Sequence, residues 1–204
     1  SGVEKNHDTK MLDRRLLIRV FIISFVSTAI GGFLFQSTTF ALPKIFDERL
    51  GELGISATLI GWYAFIVFAI AAFGQLIVGY LVDQFSIRLV FVFVAAFQAV
   101  FLAVMPGLTG WNALLVATAF MLVVFGQIPI NDVLIKRITQ SQWRSRVYAF
   151  RYIVTFTVMA SSLPIISLIH ARWGFDSLFI VLSAAAICIF ISVLMLPRAL
   201  SKKS

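Results

Sequence analysis

The stretch LVFVFVAAFQAVFLAVM, residues 89–105, is apolar on every face that a helix could present. A membrane β-barrel strand would instead show about 10 residues of alternating polarity. Of the 204 residues, 60% are hydrophobic and 13% are charged, whereas ordinary soluble domains have about 45–50% and about 25%. A water-soluble fold of this size could not bury so much Phe, Leu, Ile and Val. The sequence therefore predicts an all-α membrane protein, because lipid offers the backbone no hydrogen-bond partners.

Six apolar runs are long enough to cross a bilayer, since a spanning helix needs roughly 20 mainly apolar residues. The predicted transmembrane helices are 16–42, 57–82, 87–106, 111–135, 147–170 and 175–197. We expect residues 1–15 to form a cytoplasmic tail or linker, 16–197 to form the six-helix bundle, and 198–204 to form a cytoplasmic C-terminal tail.

Basic residues are distributed unevenly between the two sides of the predicted bundle. Six spans place both termini on one side, and 14 of the 17 Lys and Arg residues lie there. The other side has only Lys44, Arg49 and Arg172. The positive-inside rule therefore predicts cytoplasmic termini in a multi-pass protein of the plasma membrane, such as a bacterial inner membrane. The net charge of +8 then faces anionic membrane lipid, so we expect no nucleic-acid partner.

Polar residues concentrate in the first, fourth and fifth predicted helices, while the third and sixth are nearly featureless and suit a lipid-facing position. Polar side chains in a membrane helix normally face the bundle interior or a water-filled cavity. The candidates for lining a solute path are Thr28 and Gln36 on the first helix and Gln127 and Asn131 on the fourth. Gln127 and Asn131 share one helix face at i, i+4. The alternative is that these groups only form hydrogen bonds between helices.

The stretch GYLVDQFSIR, residues 79–88, forms the short predicted hinge between the second and third helices. Gly79 would let another helix approach closely, Asp83 could cap the third helix, and Arg88 could pair with Asp83 or another carboxylate. Gly-x-Leu-x-Asp followed by a basic residue five positions on resembles the signature loop of the major facilitator superfamily. Gly79, Leu81, Asp83 and Arg88 match that pattern.

A second resemblance to this superfamily begins at the end of the fourth helix. GQIPINDVLIKR (126–137) followed by QWRSRVYAFR (142–151) is similar to the end of the family's tenth helix and the loop after it. Asp132 matches the acidic residue there, and Arg144 with Ser145 matches the pair that ends the loop. These charges lie at helix ends and could act as a gate, if opposite charges pair in one conformation and separate in another. The alternative is that they only anchor the helices at the membrane surface. The gate candidates are Gly79, Asp83, Arg88, Asp132, Arg144, Arg146 and Arg151.

The resemblance implies that the chain is the C-terminal six-helix half of a major facilitator carrier. Such a half consists of two inverted three-helix repeats, and its partner is an N-terminal six-helix half of the same polypeptide. The implied function is secondary active transport of a small organic solute by alternating access, with no enzyme activity and no cofactor. A cavity wall with amides and aromatic rings but no charge suggests a neutral or weakly charged, fairly apolar solute, as in multidrug efflux carriers.

Three other interpretations remain open. The chain could be a self-contained six-helix protein that dimerises into a carrier or channel, an intramembrane protease, or a non-transporting membrane anchor or sensor. The sequence has neither a Gly-x-Ser-x-Gly element nor a His near the middle of a span, which argues against the protease. It also lacks a nucleotide-binding G-x-x-x-x-G-K-[ST] motif and a metal-ligand pattern.

Overall fold

The computed structural model describes residues 2–139 and 142–196, and within them the chain forms five α-helices and one short 3₁₀ helix. The α-helices are α1 (Gly2–Arg49), α2 (Ala57–Gln84), α3 (Ile87–Val104), α4 (Gly110–Ile138) and α5 (Arg144–Leu194). All five are long and apolar enough to cross a membrane. Residues 2–15, expected as a tail or linker, continue the backbone of α1. The expected tail 198–204 lies outside the described residues.

Helix α1 extends further than the sequence predicted. Its apolar run was expected to end at residue 42, but the helix continues through Pro43 to Arg49. Lys44 lies 2.9 Å from Asp47, one turn later, and such pairs support an exposed helical turn. A 3₁₀ helix at Gly51–Leu53 then leads to α2. The link between the first two predicted helices, residues 43–56, therefore begins with the last turns of α1.

The connection between α2 and α3 is as short as predicted. The Ser86 hydroxyl accepts a hydrogen bond from the Leu89 N–H at 3.3 Å, so Ser86 caps the N-terminus of α3. Asp83 instead lies in the last turn of α2, and the expectation that it caps α3 was wrong. The Ser hydroxyl satisfies one of the free N–H groups at the helix start. We call the end of the bundle that contains this connection the hinge end, and the opposite end, with the α3–α4 turn at Gly107, the turn end.

Helix α5 has 51 residues, a length of about 76 Å if straight, which is more than twice the roughly 30 Å of membrane hydrocarbon. Gly174 interrupts it with φ 74° and ψ −177°, so α5 has an N-terminal arm, 144–173, and a C-terminal arm, 175–194. Asp176 accepts a hydrogen bond from the Gly107 N–H at 3.0 Å at the turn end. The Leu194 carbonyl accepts one from Arg88 at 3.0 Å at the hinge end. The C-terminal arm therefore returns along the bundle.

Small residues bring α2 and α4 close together. A Cβ atom at Gly74 would lie 2.8 Å from the Leu122 side chain, and one at Gly126 would lie 2.7 Å from Val78. Such close backbone approach is typical of membrane helix interfaces. A Cβ at Gly79 would meet nothing within 4 Å. Among the described helices, the close approach therefore occurs at Gly74 and not at Gly79.

Helix α3 has two different faces. Phe93 and Phe97 lie on an exposed strip, which suits lipid as predicted. On the buried side, Ser183 of the C-terminal arm of α5 donates to the Ala99 carbonyl at 3.3 Å. Gln98 is fully buried, and neither of its amide atoms has a hydrogen-bond partner among the described residues. The expectation that this helix is nearly featureless missed Gln98.

Candidate functional site

A cavity of about 230 Å³ lies between α1, α4 and the N-terminal arm of α5. Four of its polar residues are more than nine-tenths buried: Thr28, Gln127, Asn131 and Arg151. Most of the remaining wall is apolar. The full lining comprises Thr28, Gly31, Gly32, Phe35, Val124, Gln127, Ile128, Asn131, Asp132, Arg151, Tyr152, Thr155, Phe156 and Met159.

Two amides of α4 connect this helix to α1. The Gln127 side-chain N–H donates to the Ser27 hydroxyl at 3.4 Å and to the Ser27 carbonyl at 3.5 Å. The Ser27 hydroxyl donates to the Asn131 carbonyl oxygen at 3.4 Å. These distances exceed the usual range of about 2.7–3.2 Å, so the bonds are weak. Gly31 makes room for the amide, because a Cβ there would lie 2.9 Å from Gln127 Nε2.

A charged pair borders the same cavity toward the hinge end. Arg151 donates a hydrogen bond to the Asp132 carboxylate and forms an ion pair with it. The side chain of Arg151 is only 10% exposed, whereas that of Asp132 is 50% exposed. Tyr148 donates to the Asp132 backbone carbonyl at 3.1 Å, and its ring lies 6.0 Å from the Arg151 guanidinium carbon. The pair is thus asymmetric, with a buried cation and a carboxylate that solvent can reach.

The hinge charges do not join this pair. Asp83 is exposed, and no hydrogen bond or ion pair connects it to another described side chain. Arg88 donates to the Leu194 carbonyl at 3.0 Å and not to Asp83. Of the gate candidates, Asp83, Arg88 and Asp132 are therefore not joined into one group in this conformation. Among the gate candidates whose side chains the structure describes, Asp132 and Arg151 are the two that it brings together.

Comparison with protein-family models matches residues 20–204 to the Major Facilitator Superfamily. The chain belongs to the Major Facilitator Superfamily. It is therefore an integral, multi-pass membrane protein from a family of transporters that carry solutes across membranes. Comparison with curated proteins found no match.

In this facilitator chain, three of the four predicted solute-path residues share one cavity. Thr28, Gln127 and Asn131 line it together, so the i, i+4 spacing on α4 correctly placed its two amides on one face. Gln36 is half-buried and is not part of the cavity wall. The predicted hydrogen bonding between helices is also present, through Ser27.

Arg146, another gate candidate, is not part of the cavity wall. Arg146 is exposed, and its guanidinium carbon is 4.9 Å from the centre of the Trp143 ring. The side chain of Arg144 lies outside the described part of the structure. Both positions remain consistent with the alternative of anchoring at a membrane surface.

A network at the turn end was missed by the sequence reasoning. Arg49, at the end of α1, forms an ion pair with Asp176 of α5, and Asp176 also accepts the Gly107 N–H. Glu48 lies 2.8 Å from His170. These contacts join residues up to 127 positions apart. The available signal was that Glu48, Arg49 and Asp176 are among the few acidic and basic residues expected on this side of the bundle.

The side chains that the structure describes include no group of three or more His, Cys, Asp or Glu residues that could hold a metal ion. The polar side chains of the cavity are two amides, three hydroxyl groups and one Asp–Arg pair. Such groups bind and orient a solute by hydrogen bonds and charge.

Proposed function

We propose that this chain is one half of a secondary active carrier that moves a small organic solute across the membrane by alternating access. The observation that carries the proposal is the cavity with Thr28, Gln127, Asn131 and Arg151 in its wall. Each of these residues is more than nine-tenths buried inside a bundle that is otherwise mainly apolar. Polar groups at such depth are expensive in a membrane protein and mark solute pathways.

The course of the chain supports an arrangement of six transmembrane segments in two inverted triplets. The break at Gly174 divides α5 into two arms that run in opposite directions. The first triplet, α1 to α3, then starts at the hinge end, and the second, α4 with both arms of α5, starts at the turn end. Inverted triplets of this kind occur in transporter folds.

The orientation follows from the excess of basic residues at the hinge end. We place both termini in the cytoplasm, with the carrier in the plasma membrane of the cell.

An N-terminal six-helix half would provide the opposite wall of the cavity. Tyr152 and Phe156 line the cavity and are 53% and 63% exposed, so this side of the cavity has no protein cover within the described chain. Helix α2 also has large exposed apolar residues, including Phe73 at 67%. A second copy of the chain could cover the same faces in a dimeric carrier or channel, and the mass of the purified assembly distinguishes the two arrangements.

The pair of Asp132 and Arg151 is the proposed gate within this half. It lies between the cavity and the hinge end, where breaking it would change access to the solute. Asp83 is exposed near the same end, so its carboxylate can pair with a cation of the other half. An ion pair that forms in one conformation and breaks in another supplies the two-state element that alternating access needs.

Transport by the purified protein in vesicles tests this proposal. The solutes are radiolabelled benzoate, glucose and tetraphenylphosphonium, which represent an organic anion, a neutral solute and an organic cation. We expect vesicles with the protein to accumulate at least one of them faster than protein-free vesicles, and Asn131→Ala to reduce that rate. Ser161→Ala is the matched control, because Ser161 is exposed and donates only to the Thr157 carbonyl of its own helix. Equal rates with and without the protein for all three solutes would contradict the proposal.

A further inference from the structure

We infer that the cavity binds an organic anion, namely a carboxylate carried on a small apolar body, and that Arg151 holds its charged group in place of Asp132. This inference rests on the proposed transport function and names the class of solute. It differs from the sequence expectation of a cavity wall without charge, which suggested a neutral or weakly charged solute. That expectation placed Arg151 with the charges at the helix ends, whereas the structure places it in the cavity wall.

The two charged groups of the cavity differ in how easily each can reach water when the ion pair separates. The Asp132 side chain is half exposed and can turn toward water, but the Arg151 side chain is 90% buried. Separating a buried ion pair is unfavourable chiefly because one charge is left buried without a partner. An arriving anion can replace Asp132 at Arg151 and leave both carboxylates stabilised. An arriving cation would have to displace Arg151, which has no comparable route to solvent.

The cavity also has more hydrogen-bond donors than acceptors for a solute to use. Arg151 has five N–H donors in a planar fork that suits a carboxylate, and the described residues provide one acceptor for it, Asp132. The Thr28 hydroxyl is buried and has no hydrogen-bond partner among the described residues. The Gln127 N–H bonds to Ser27 are long, at 3.4 and 3.5 Å, so the amide can exchange them for a better acceptor.

The rest of the wall suits an apolar body. Phe35, Val124, Ile128, Phe156 and Met159 line the cavity beside the polar groups. The volume of about 230 Å³ is below the roughly 300–1,000 Å³ of typical ligand pockets. A small carboxylate with one aromatic ring or a short alkyl chain therefore matches both the size and the chemistry of the cavity.

Benzoate, benzamide and benzylamine test the inference, because they share one ring and differ in charge. Binding to the purified protein in detergent is measured by equilibrium dialysis. We expect benzoate to bind roughly tenfold or more tightly than benzamide, since a charge-assisted bidentate contact is much stronger than a neutral one. Benzylamine should bind more weakly still. Equal or tighter binding of benzamide or benzylamine would overturn the inference, as would failure of benzoate, 4-phenylbutyrate and octanoate all to bind.

Substitutions of Asp132 and Arg151 test whether the preference for benzoate depends on this charged pair. Asp132→Asn removes the internal competitor, so we expect benzoate to bind about threefold or more tightly, whereas a pair that only supports the fold would give unchanged or weaker binding. Arg151→Gln should abolish the preference for benzoate over benzamide, and Arg151→Lys should restore part of it. Arg146→Gln is the control, because Arg146 is also at this end of α5 but packs on Trp143 outside the cavity.

The binding assay separates this inference from the transport proposal. If benzoate binds with the expected dependence on Arg151 and Asp132 but none of the three solutes is moved across vesicles, the result supports the site and contradicts the carrier function. Transport of glucose or tetraphenylphosphonium without benzoate binding supports the carrier and contradicts the anion site. Circular dichroism and size-exclusion profiles equal to the wild type show that each variant is folded.

Discussion

At the scale of single residues, two glycines on α2 have opposite surroundings although they are five positions apart. A Cβ at Gly74 would lie 2.8 Å from the Leu122 side chain and 3.2 Å from its carbonyl oxygen, whereas one at Gly79 would contact nothing. We therefore expect Gly74→Ala to lower the free energy of unfolding by about 1–3 kcal/mol through overpacking. Gly79→Ala should leave it unchanged or raise it by up to about 1 kcal/mol, because Ala favours helix.

Denaturant titration of the purified protein in detergent measures both glycine variants. Equal stability of the two would show that the α2–α4 contact is looser than the structure indicates. A larger loss at Gly79 would show that this position, as the sequence suggested, is the true contact with another helix.

The carboxylates of the proposed gate can be tested by removing their charge alone. We expect Asp132→Asn and Asp83→Asn each to reduce the transport rate, because each removes one member of an ion pair that must form during the cycle. The protein level in the membrane should not change. The Asp132 side chain is half exposed, and Asp83 lies in the last turn of α2. Asp47→Asn is the control, because Asp47 pairs with Lys44 away from the hinge end. Wild-type rates in both variants would exclude the gate.

At the scale of secondary-structure elements, Asp176 connects three separate segments at the turn end. It accepts the Gly107 N–H of the α3–α4 turn and pairs with Arg49 of α1. Its side chain is half exposed, so solvent screens part of the interaction. We expect Asp176→Asn to lower the free energy of unfolding by about 1 kcal/mol. Asp47→Asn, which loses only a pair within one exposed turn, should cause a smaller change in the same denaturant titration.

The break in α5 depends on one backbone conformation. Gly174 has φ 74° and ψ −177°, a region that is occupied almost only by glycine. We expect Gly174→Ala to destabilise the protein by roughly 1–3 kcal/mol. Gly61→Ala, at an open position within α2, should have little effect. If the thermal stability of Gly174→Ala equals that of Gly61→Ala, the break does not require this conformation.

The elements were predictable to the extent that local sequence determines them. Hydrophobic runs correctly placed the hinge before Ile87 and the turn before Gly110, because charged residues, Ser, Pro and Gly interrupt the apolar sequence there. The end of α1 was not predictable, because Pro43 is a helix-breaking signal that this helix tolerates. Pairing of Arg49 with Asp176 across 127 positions depends on how the helices pack, which no local pattern encodes.

At the scale of the whole molecule, the parts of the candidate site that depend on local sequence were predicted, and those that depend on helix packing were not. Gln127 and Asn131 were found because their spacing places them on one side of α4. Arg151 was recognised as a charge at a helix end, but its position in the cavity wall follows from the packing of α1, α4 and α5. The cavity is where these three helices meet, and an alternating-access carrier must expose such a site to each side of the membrane in turn.

The most direct test of this account is therefore the accessibility of one cavity position from both sides. Ile128→Cys is made in a Cys188→Ser background, which removes the chain's single native cysteine. Inside-out and right-side-out vesicles are then treated with a maleimide that cannot cross the membrane. Phe97→Cys, on the exposed strip of α3, is the control and should react from neither side. The account predicts labelling of Ile128→Cys in both vesicle orientations, and labelling from one side only would contradict it.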